Sequence, residues 1–272
     1  MRPEAYAHQN FELWRLLLVK NETAVLIPVR LGSSRLHRKA LIPIVGQPAL
    51  GHLLERMKLA TGLSRIVVCT TQEAEDGELV DLAVHLGVDY YRGATTDLID
   101  RLRAAANHFA VNHIVNVDGD DILMDPDQVD AVARHLSSPN VDFVKCEGLP
   151  FGAAPIGMTY RALENVCLTK KTLNTATGWG RFFTESSSVR VGTLSNWGAE
   201  LSFPTLRMTL DYPEDLLFFE RVFGALYRPG HPVRLREAIR FVLSHKEVLD
   251  LTEGLDKKYW AHFSEQSAKI NE

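Results

Sequence analysis

Cysteine is scarce in this chain of 272 residues. Its three copies, Cys69, Cys146 and Cys167, lie far apart and form no Cys-x-x-Cys pair. This spacing argues against a zinc knuckle and against a disulfide framework as the basis of the fold. Three separated thiols suit a reducing compartment, and we therefore expect a cytoplasmic protein.

The chain also lacks an excess of charge of one sign. Lysine and arginine number 30, aspartate and glutamate number 34, and the formal net charge is −4. A protein this close to neutrality has no overall basic field, so we expect no nucleic-acid partner. Hydrophobic residues make up 46% of the chain, which is enough for a full core and argues against disorder.

Long hydrophobic runs are missing as well. The apolar run 16–19 is too short to span a bilayer. Glu4 and Glu12 precede it where a signal peptide has basic residues, and no small-residue cleavage site follows. The pattern predicts an amphipathic helix over 1–20, and we expect no membrane partner.

What the chain does have is a regular alternation of short apolar runs with segments of helical periodicity. This alternation is typical of β-α-β units and predicts an α/β fold with a mostly parallel central sheet. In such sheets, ligands bind at the carboxyl ends of the strands. The predicted strands cover 24–29, 66–69, 88–91 and 114–117, and the predicted helices cover 50–60, 78–86, 96–109 and 126–136.

Beyond residue 141 the pattern becomes less regular and rich in glycine, which predicts a smaller insertion with antiparallel strands. We expect a return strand over 206–210, a helix over 213–226 and charged helices over 232–265. The chain is predicted to form a single domain. Its expected parts are a helical extension at 1–20, a nucleotide-binding half at 21–141, an acceptor or dimer insertion at 142–210 and a helical part at 211–272.

A basic loop follows the first predicted strand. Gly32 and Ser33 allow backbone N–H groups to turn toward an anion, and Arg30, Arg35 and Lys39 add three cations. These features suit a triphosphate, and a solvated basic loop is the alternative. The spacing matches neither the Walker motif nor the Gly-x-Gly-x-x-Gly fingerprint, so neither a P-loop nor a dinucleotide fold is indicated.

Acidic segments follow later strands. Residues 118–121 read Asp-Gly-Asp-Asp, and carboxylates beside a phosphate loop are the ligands that Mg²⁺ needs. The alternative is a turn before the next helix, although Asp125 is better placed to cap that helix. Asp211 is either a functional carboxylate or an ordinary acidic residue at a helix start. Asp97 and Arg101 are spaced to pair on a helix surface or to serve the site.

These segments together resemble the motifs of the cytidylyltransferases that activate acidic sugars. Residues 30–39 are similar to the RxGSxRLPxK motif, especially in the branch named for spore-coat polysaccharide biosynthesis. The 3-deoxy-manno-octulosonate cytidylyltransferases resemble the chain less closely than this branch does. Five motifs stand in the family's order within residues 24–225, namely 30–39, Thr70, 92–105, 119–126 and 209–215.

The resemblance implies a glycosyltransferase-A-like nucleotidyltransferase fold, CTP as the donor and release of pyrophosphate. It implies Mg²⁺ as the cofactor, held by Asp120 and Asp211, with Arg30, Arg35 and Lys39 completing the catalytic set. The residues that it places around the nucleotide are Pro28, Arg30, Gly32, Ser33, Ser34, Arg35, Lys39, Thr70, Arg92, Asp97, Arg101 and Asp118.

The sequence departs from the family pattern at several points. His37-Arg38 stands where the family has Pro-Gly, and Ile122 stands where it has proline. The acceptor half matches the family least. Gly157 and Arg181 are the residues expected to bind the acceptor, which is a sugar acid or a related acid. The resemblance also predicts a homodimer, with its contact in the glycine-rich region 145–200. Four aromatic residues of this region look exposed, and the alternatives are that they line the acceptor pocket or fill a local core, namely Trp179, Phe182, Phe183 and Trp197.

Two other functions stay open at this point. A glycosyltransferase of similar fold would use Asp118-Gly119-Asp120 as a DxD metal motif, although its nucleotide-sugar donor has less need of three cations. A nucleotide-binding protein without turnover is the second alternative. The presence of Lys39, Asp120 and Asp211 together speaks against it.

Overall fold

Strands and helices alternate along the chain. The structure, a computed structural model, describes residues 22–270, with side chains through residue 264. The predicted helix over 1–20 lies outside these residues. The strands are β1 (Thr23–Pro28), β2 (Pro43–Ile44), β3 (Gln47–Pro48), β4 (Arg65–Thr71), β5 (Asp89–Gly93), β6 (His113–Asn116), β7 (Phe143–Cys146), β8 (Ile156–Thr159) and β9 (Val191–Leu194). The helices are α1 (Ala49–Met57), α2 (Gly77–His85), α3 (Leu98–His108), α4 (Pro126–Leu136), α5 (Tyr160–Thr169), α6 (Arg181–Thr184), α7 (Pro213–Leu226), α8 (Leu235–Ser244), α9 (Lys246–Leu249) and α10 (Leu255–Ile270), with short 3-10 turns at Lys39–Leu41, Ala74–Asp76 and Asp250–Thr252.

β1 lies inside a seven-stranded sheet whose order is β5-β4-β1-β6-β8-β7-β9. The first four of these strands run parallel, with Ala24 opposite both Arg65 and Ile114. β8 is antiparallel to both of its neighbours, β9 is parallel to β7, and β2 with β3 forms a separate antiparallel pair. The predicted α/β fold with a mostly parallel sheet is therefore confirmed, and the strands of the region 142–210 extend the central sheet.

Helices cover both faces of the sheet, because successive residues of a strand point to opposite faces. In β1, Val25 and Ile27 share one core with apolar side chains of α1, α4 and α7. Ala24 and Leu26 share a second core with those of α3 and α5. Among the described residues, no helix is long and apolar enough to cross a membrane.

Two of the four aromatic residues considered for a dimer contact are buried, which favours the alternative of a local core for them. Trp179 and Phe183 are 7% and 0% exposed. Their ring centroids lie 6.5 and 4.8 Å from that of Phe143 in β7, so both rings pack on the sheet. Phe182 and Trp197 are partly buried.

The segment 206–210 is not a strand, and this prediction was wrong. Arg207 forms an isolated bridge with Phe151, and the N–H of Met208 donates to the carbonyl of Phe151 at 2.7 Å. The N–H of Leu210 donates to the carbonyl of Asp120 at 3.0 Å. This bond brings the residue that follows, Asp211, to the turn after β6 without a continuous ladder.

Candidate active site

A cavity of about 370 Å³ opens at the carboxyl ends of β1 and β6, where a parallel sheet places its ligand site. The loop after β1 and the turn after β6 form part of its wall. Residues of α3, the segment 176–180 and α10 complete it. The residues assigned from the sequence that line the cavity are Pro28, Arg30, Gly32, Ser33, Ser34, Arg35, Lys39, Arg101, Asp118 and Asp120.

The loop after β1 is anchored by a buried contact near its beginning. Leu31 is fully buried, and its N–H donates to Asp76 Oδ1 at 2.7 Å. The N–H of Ser33 donates back to the carbonyl of Leu31 at 2.7 Å, which makes the turn around Gly32 tight. The loop is therefore held in place where it passes the cavity.

The two residues that replace the family's Pro-Gly, His37 and Arg38, come directly before Lys39. Arg38, which stands where the family has glycine, adopts a left-handed backbone conformation with φ of 55°. Glycine adopts this conformation freely, whereas a β-carbon disfavours it. At the surface, Arg38 Nη2 pairs with Glu78 Oε2 at 2.5 Å. The turn thus keeps a glycine-like shape despite the substitution.

Lys39 joins the two carboxylates that the resemblance assigns to the metal. Its ammonium nitrogen contacts Asp120 Oδ2 and lies 2.7 Å from Asp211 Oδ1. Arg35 Nη2 contacts the same oxygen of Asp211. The Asp211 side chain is 2% exposed, so these cations balance a carboxylate that has little contact with water.

The charges of this cluster shift one another's pKa. Burial lowers the pKa of Lys39, but the carboxylates of Asp120 and Asp211 outweigh burial and hold the pKa above its usual value. Burial raises the pKa of Asp211, but Lys39 and Arg35 outweigh it and hold that pKa below its usual value. Both groups are therefore charged at neutral pH.

The turn after β6 carries more negative charge than Lys39 balances. One carboxylate oxygen from each of Asp118, Asp120 and Asp121 lies within 4.8 Å of the others. Burial and the Asp120 carboxylate raise the pKa of Asp118 to about 6, and burial with both neighbours raises that of Asp121 well above its usual value. Hard oxygen ligands beside a basic loop fit Mg²⁺, which binds protein carboxylates together with phosphate oxygens.

Arg207 binds the second oxygen of Asp211. Its buried guanidinium pairs with both oxygens of Asp215, at 2.8 and 3.0 Å, and lies 3.3 Å from Asp211 Oδ2. Asp215 Oδ2 also accepts the N–H groups of Asp211 and Tyr212, each at 2.9 Å. Asp256 of α10 is a further partner of Arg207 at 3.4 Å. Arg207 therefore orients Asp211 and connects the site to α10.

Asp97 has a structural role at the start of α3. It caps α3 by accepting the N–H of Asp100 at 3.1 Å. Its buried carboxylate also contacts Lys170 and accepts the hydroxyl of Thr175 at 2.9 Å. These partners occupy the carboxylate, and Asp97 does not line the cavity.

Thr70 and Arg92 are likewise outside the cavity lining. Thr70 is fully buried within β4. Arg92 donates to the carbonyls of Thr71 and Glu73, at 2.9 and 2.7 Å. Arg92 therefore supports the loop beyond β4.

The two residues assigned to the acceptor also do not line the cavity. Gly157 in β8 packs against α4, because a β-carbon there would lie 2.5 Å from Val132 Cγ1. Glycine is thus needed for the close approach of helix and sheet. The Arg181 guanidinium lies 5.4 Å from the ring centroid of Phe182. In each case the preceding residue of the chain lines the cavity instead.

Aromatic residues of α10 belong to the cavity wall, and the sequence pattern did not predict them. Tyr259 and Phe263 line the cavity together with Trp179. The guanidinium carbon of Arg35 lies 5.3 Å from the ring centroid of Tyr259 and 5.8 Å from that of Tyr212. The available signal was the i, i+4 spacing of two rings on a charged helix, which is equally typical of core packing.

The fold is that of nucleotidyltransferases. A cytidylyltransferase from Leptospira borgpetersenii serovar Hardjo-bovis matches with a TM-score of 0.78 at 22% identity, over 85% of this chain and 97% of that one. A CMP:2-keto-3-deoxy-manno-octonic acid synthetase complexed with CTP matches with a TM-score of 0.59 at 15% identity, over 75% and 98%. The fold expected from the motifs is therefore confirmed.

Sequence comparison then identifies the family. The family model described as cytidylyltransferase matches residues 24–270, and the chain belongs to the cytidylyltransferase family. A 3-deoxy-manno-octulosonate cytidylyltransferase from Methylibium petroleiphilum is 39% identical over 123 residues, which is 42% of this chain and 43% of that protein. The chain spans about half the length of the curated relatives that it matches.

Proposed function

We propose that this protein transfers CMP from CTP to an acidic sugar, or a related acid, with release of pyrophosphate. One observation carries the proposal. Lys39 joins Asp120 and Asp211 at a cavity that Arg30 and Arg35 also line. A triphosphate needs cations and its magnesium ion needs carboxylates, and this cavity offers both.

The chain's own residues have distinct parts in this reaction. Arg30, Arg35 and Lys39 neutralise the triphosphate and the departing pyrophosphate, because fixed cations stabilise charge that develops on oxygen. Asp120 and Asp211 are the residues that would hold Mg²⁺, which when bound orients phosphate oxygens and neutralises their charge. The attacking oxygen belongs to the acceptor, and its bond to the α-phosphorus forms as the bond to the departing pyrophosphate breaks.

Arg101 supports an anionic ligand in the cavity. It is buried and lines the cavity, and its Nε has no hydrogen-bond acceptor within the described part of the chain. Burial lowers its pKa, because a cation out of water is costly without a nearby anion. A phosphate group of the nucleotide provides both the acceptor and the charge.

The sugar-acid acceptor is proposed from relatives named for such substrates. They include 3-deoxy-manno-octulosonate and 8-amino-3,8-dideoxy-manno-octulosonate cytidylyltransferases. We further propose that the protein is a homodimer and that it acts in the cytoplasm, in polysaccharide biosynthesis. Light scattering at low micromolar concentration tests the dimer: a particle of twice the 30.5 kDa chain mass supports it, and a particle of that mass contradicts it.

A pyrophosphate-release screen tests the proposed activity. Each of the four ribonucleoside triphosphates, with Mg²⁺, is combined with a panel of sugar acids. We expect pyrophosphate from CTP with at least one acid and none without an acceptor. A glycosyltransferase that uses Asp118-Gly119-Asp120 would instead release a nucleoside diphosphate from a nucleotide sugar. Tight CTP binding with no turnover on any acid would favour a nucleotide-binding protein.

A further inference from the structure

We propose that Lys39 occupies the divalent-cation position between Asp120 and Asp211 until a triphosphate binds, so that the metal enters only together with the nucleotide. The inference rests on the proposed function for the identity of the triphosphate. Its other support is the set of contacts that Lys39 makes in the structure.

Lys39 already acts as the counter-cation of both carboxylates. Its Nζ contacts Asp120 Oδ2 and lies 2.7 Å from Asp211 Oδ1. Arg35 contacts the same Asp211 oxygen, and Arg207 lies 3.3 Å from the other, so each oxygen of Asp211 has a cationic partner. A divalent cation bonded to Asp211 Oδ1 must therefore replace Lys39, because like charges at such short range repel.

The triphosphate is the group that can draw Lys39 away. Lys39 lines the cavity, and its four-carbon stem lets the ammonium group move while the backbone stays in place. The backbone around it is held, because Ala40 is buried and the N–H of Ile42 donates to the Lys39 carbonyl at 3.3 Å. Once Lys39 binds phosphate, the two carboxylates and the phosphate oxygens form the ligand set that Mg²⁺ prefers.

This arrangement makes nucleotide and metal binding depend on each other in a defined order. Without nucleotide, a metal ion competes with a lysine that is part of the same chain and is always present. Without metal, the nucleotide still meets Arg30, Arg35 and Lys39. The free protein therefore binds CTP in the absence of a divalent ion, and it binds the ion poorly in the absence of CTP.

Two titrations of the full chain test this order. In EDTA, we expect CTP to bind measurably, and more weakly than with the metal by the same factor by which CTP tightens metal binding, because coupling between two binding sites is reciprocal. Without nucleotide, we expect Mn²⁺, followed by electron paramagnetic resonance, to bind weakly. CTP binding that requires a metal overturns the inference and leaves the proposed function standing. An absence of CTP binding under both conditions overturns the proposed function, and the inference with it.

A lysine variant tests the competition itself. Lys39→Met is expected to tighten Mn²⁺ binding to the nucleotide-free protein by tenfold or more, because the cation that joins Asp120 to Asp211 is gone and Arg35 remains on Asp211 only. Lys39→Arg retains the cation and is expected to bind Mn²⁺ as weakly as the wild type. Lys58→Met, at an exposed lysine outside the cavity lining, is the matched control and should also leave Mn²⁺ binding unchanged.

Circular dichroism first shows that each variant is folded. Equal Mn²⁺ affinity in the wild type and Lys39→Met overturns the inference, as does an absence of measurable Mn²⁺ binding by both. Tighter binding in the Lys58→Met control as well overturns it, since the effect would then be one of net charge alone. If Lys39→Met does not fold, the two wild-type titrations decide.

Discussion

A β-carbon on Gly119 would lie 2.7 Å from the β-carbon of Val29, so the turns after β6 and β1 approach each other as closely as their backbones allow. The N–H of Gly119 donates to the carbonyl of Pro28 at 3.1 Å across the same contact. This approach sets Asp118 and Asp120 beside the basic loop. Steric crowding therefore explains why glycine stands between the two carboxylates.

Gly119→Ala is expected to lower kcat by ~100-fold or more, because the added methyl group separates the two turns and a misplacement of about 1 Å can cost that much. Steady-state kinetics with the acceptor found by the screen measures the effect. Gly224→Ala in α7 is the control, since a β-carbon there meets no atom within 4 Å. It should leave kcat unchanged and stabilise the fold by up to about 1 kcal/mol. An unchanged kcat in Gly119→Ala would refute the steric account.

Asp120→Asn and Asp211→Asn are each expected to lower kcat by ~100-fold or more, which is about 2.7 kcal/mol of barrier. The double variant should be little worse than either single one, because residues that act as a unit are not additive. CTP binding should weaken less than turnover. The exposed Asp81→Asn is the control. Normal turnover with a lower Tm in Asp211→Asn would make Asp211 an ordinary helix-start charge.

Arg207→Met is expected to lower the free energy of unfolding by about 3–5 kcal/mol, because it leaves Asp211 and Asp215 buried without their shared cation. Urea unfolding followed by circular dichroism measures the loss, and Arg207→Lys should recover part of it. Arg65→Met removes an exposed pair with Asp89 and should change the value by no more than ~1 kcal/mol. Similar losses in both variants would count against the role given to Arg207.

The pH dependence of stability should include a contribution from Asp142. Arg190 and Arg161 donate to its buried carboxylate at 2.6 and 2.7 Å and hold its pKa well below the usual value. A depressed pKa in the folded state stabilises the protein above the unfolded-state pKa of about 4, and this stability is lost as pH falls through the folded-state value.

Asp142→Asn should therefore be less stable than the wild type at neutral pH, and the difference should shrink as the pH falls below about 4. Urea unfolding at several pH values measures it. Asp89→Asn, at an exposed ion pair, is the control and should show a much smaller difference at neutral pH. A difference for Asp142→Asn that does not change with pH would disprove the ion-pair explanation.

The parts of the site that were predictable are those where local signals and tertiary structure agree. α4 begins at Pro126 with Asp125 as its cap, and α7 begins at Pro213, both as predicted. The basic loop and the acidic turn meet as predicted, because parallel strands end at one edge of the sheet. Each of these features is encoded within a few consecutive residues.

Contacts between distant segments were not predictable in the same way. Tyr259 and Phe263 reach the cavity from α10, and helical periodicity does not distinguish a ring at a site from a ring in a core. The segment 206–210 was expected to form a return strand, but a strand also needs a neighbour to pair with, and here Arg207 makes an isolated bridge. An aspartate at the start of a helix gives the same sequence pattern whether its carboxylate binds a ligand or a lysine, so the partner of Asp97 was not predictable.

The fate of the α-phosphorus tests the central claim most directly. CTP labelled at its α-phosphorus is incubated with the protein, Mg²⁺ and the panel of sugar acids, and the products are separated. We predict that the label appears in a new CMP-linked acid, with one pyrophosphate released for each CMP transferred. Label that stays in CTP with every acid, or that appears in CDP, would contradict the assignment of this protein as a CMP-transferring enzyme.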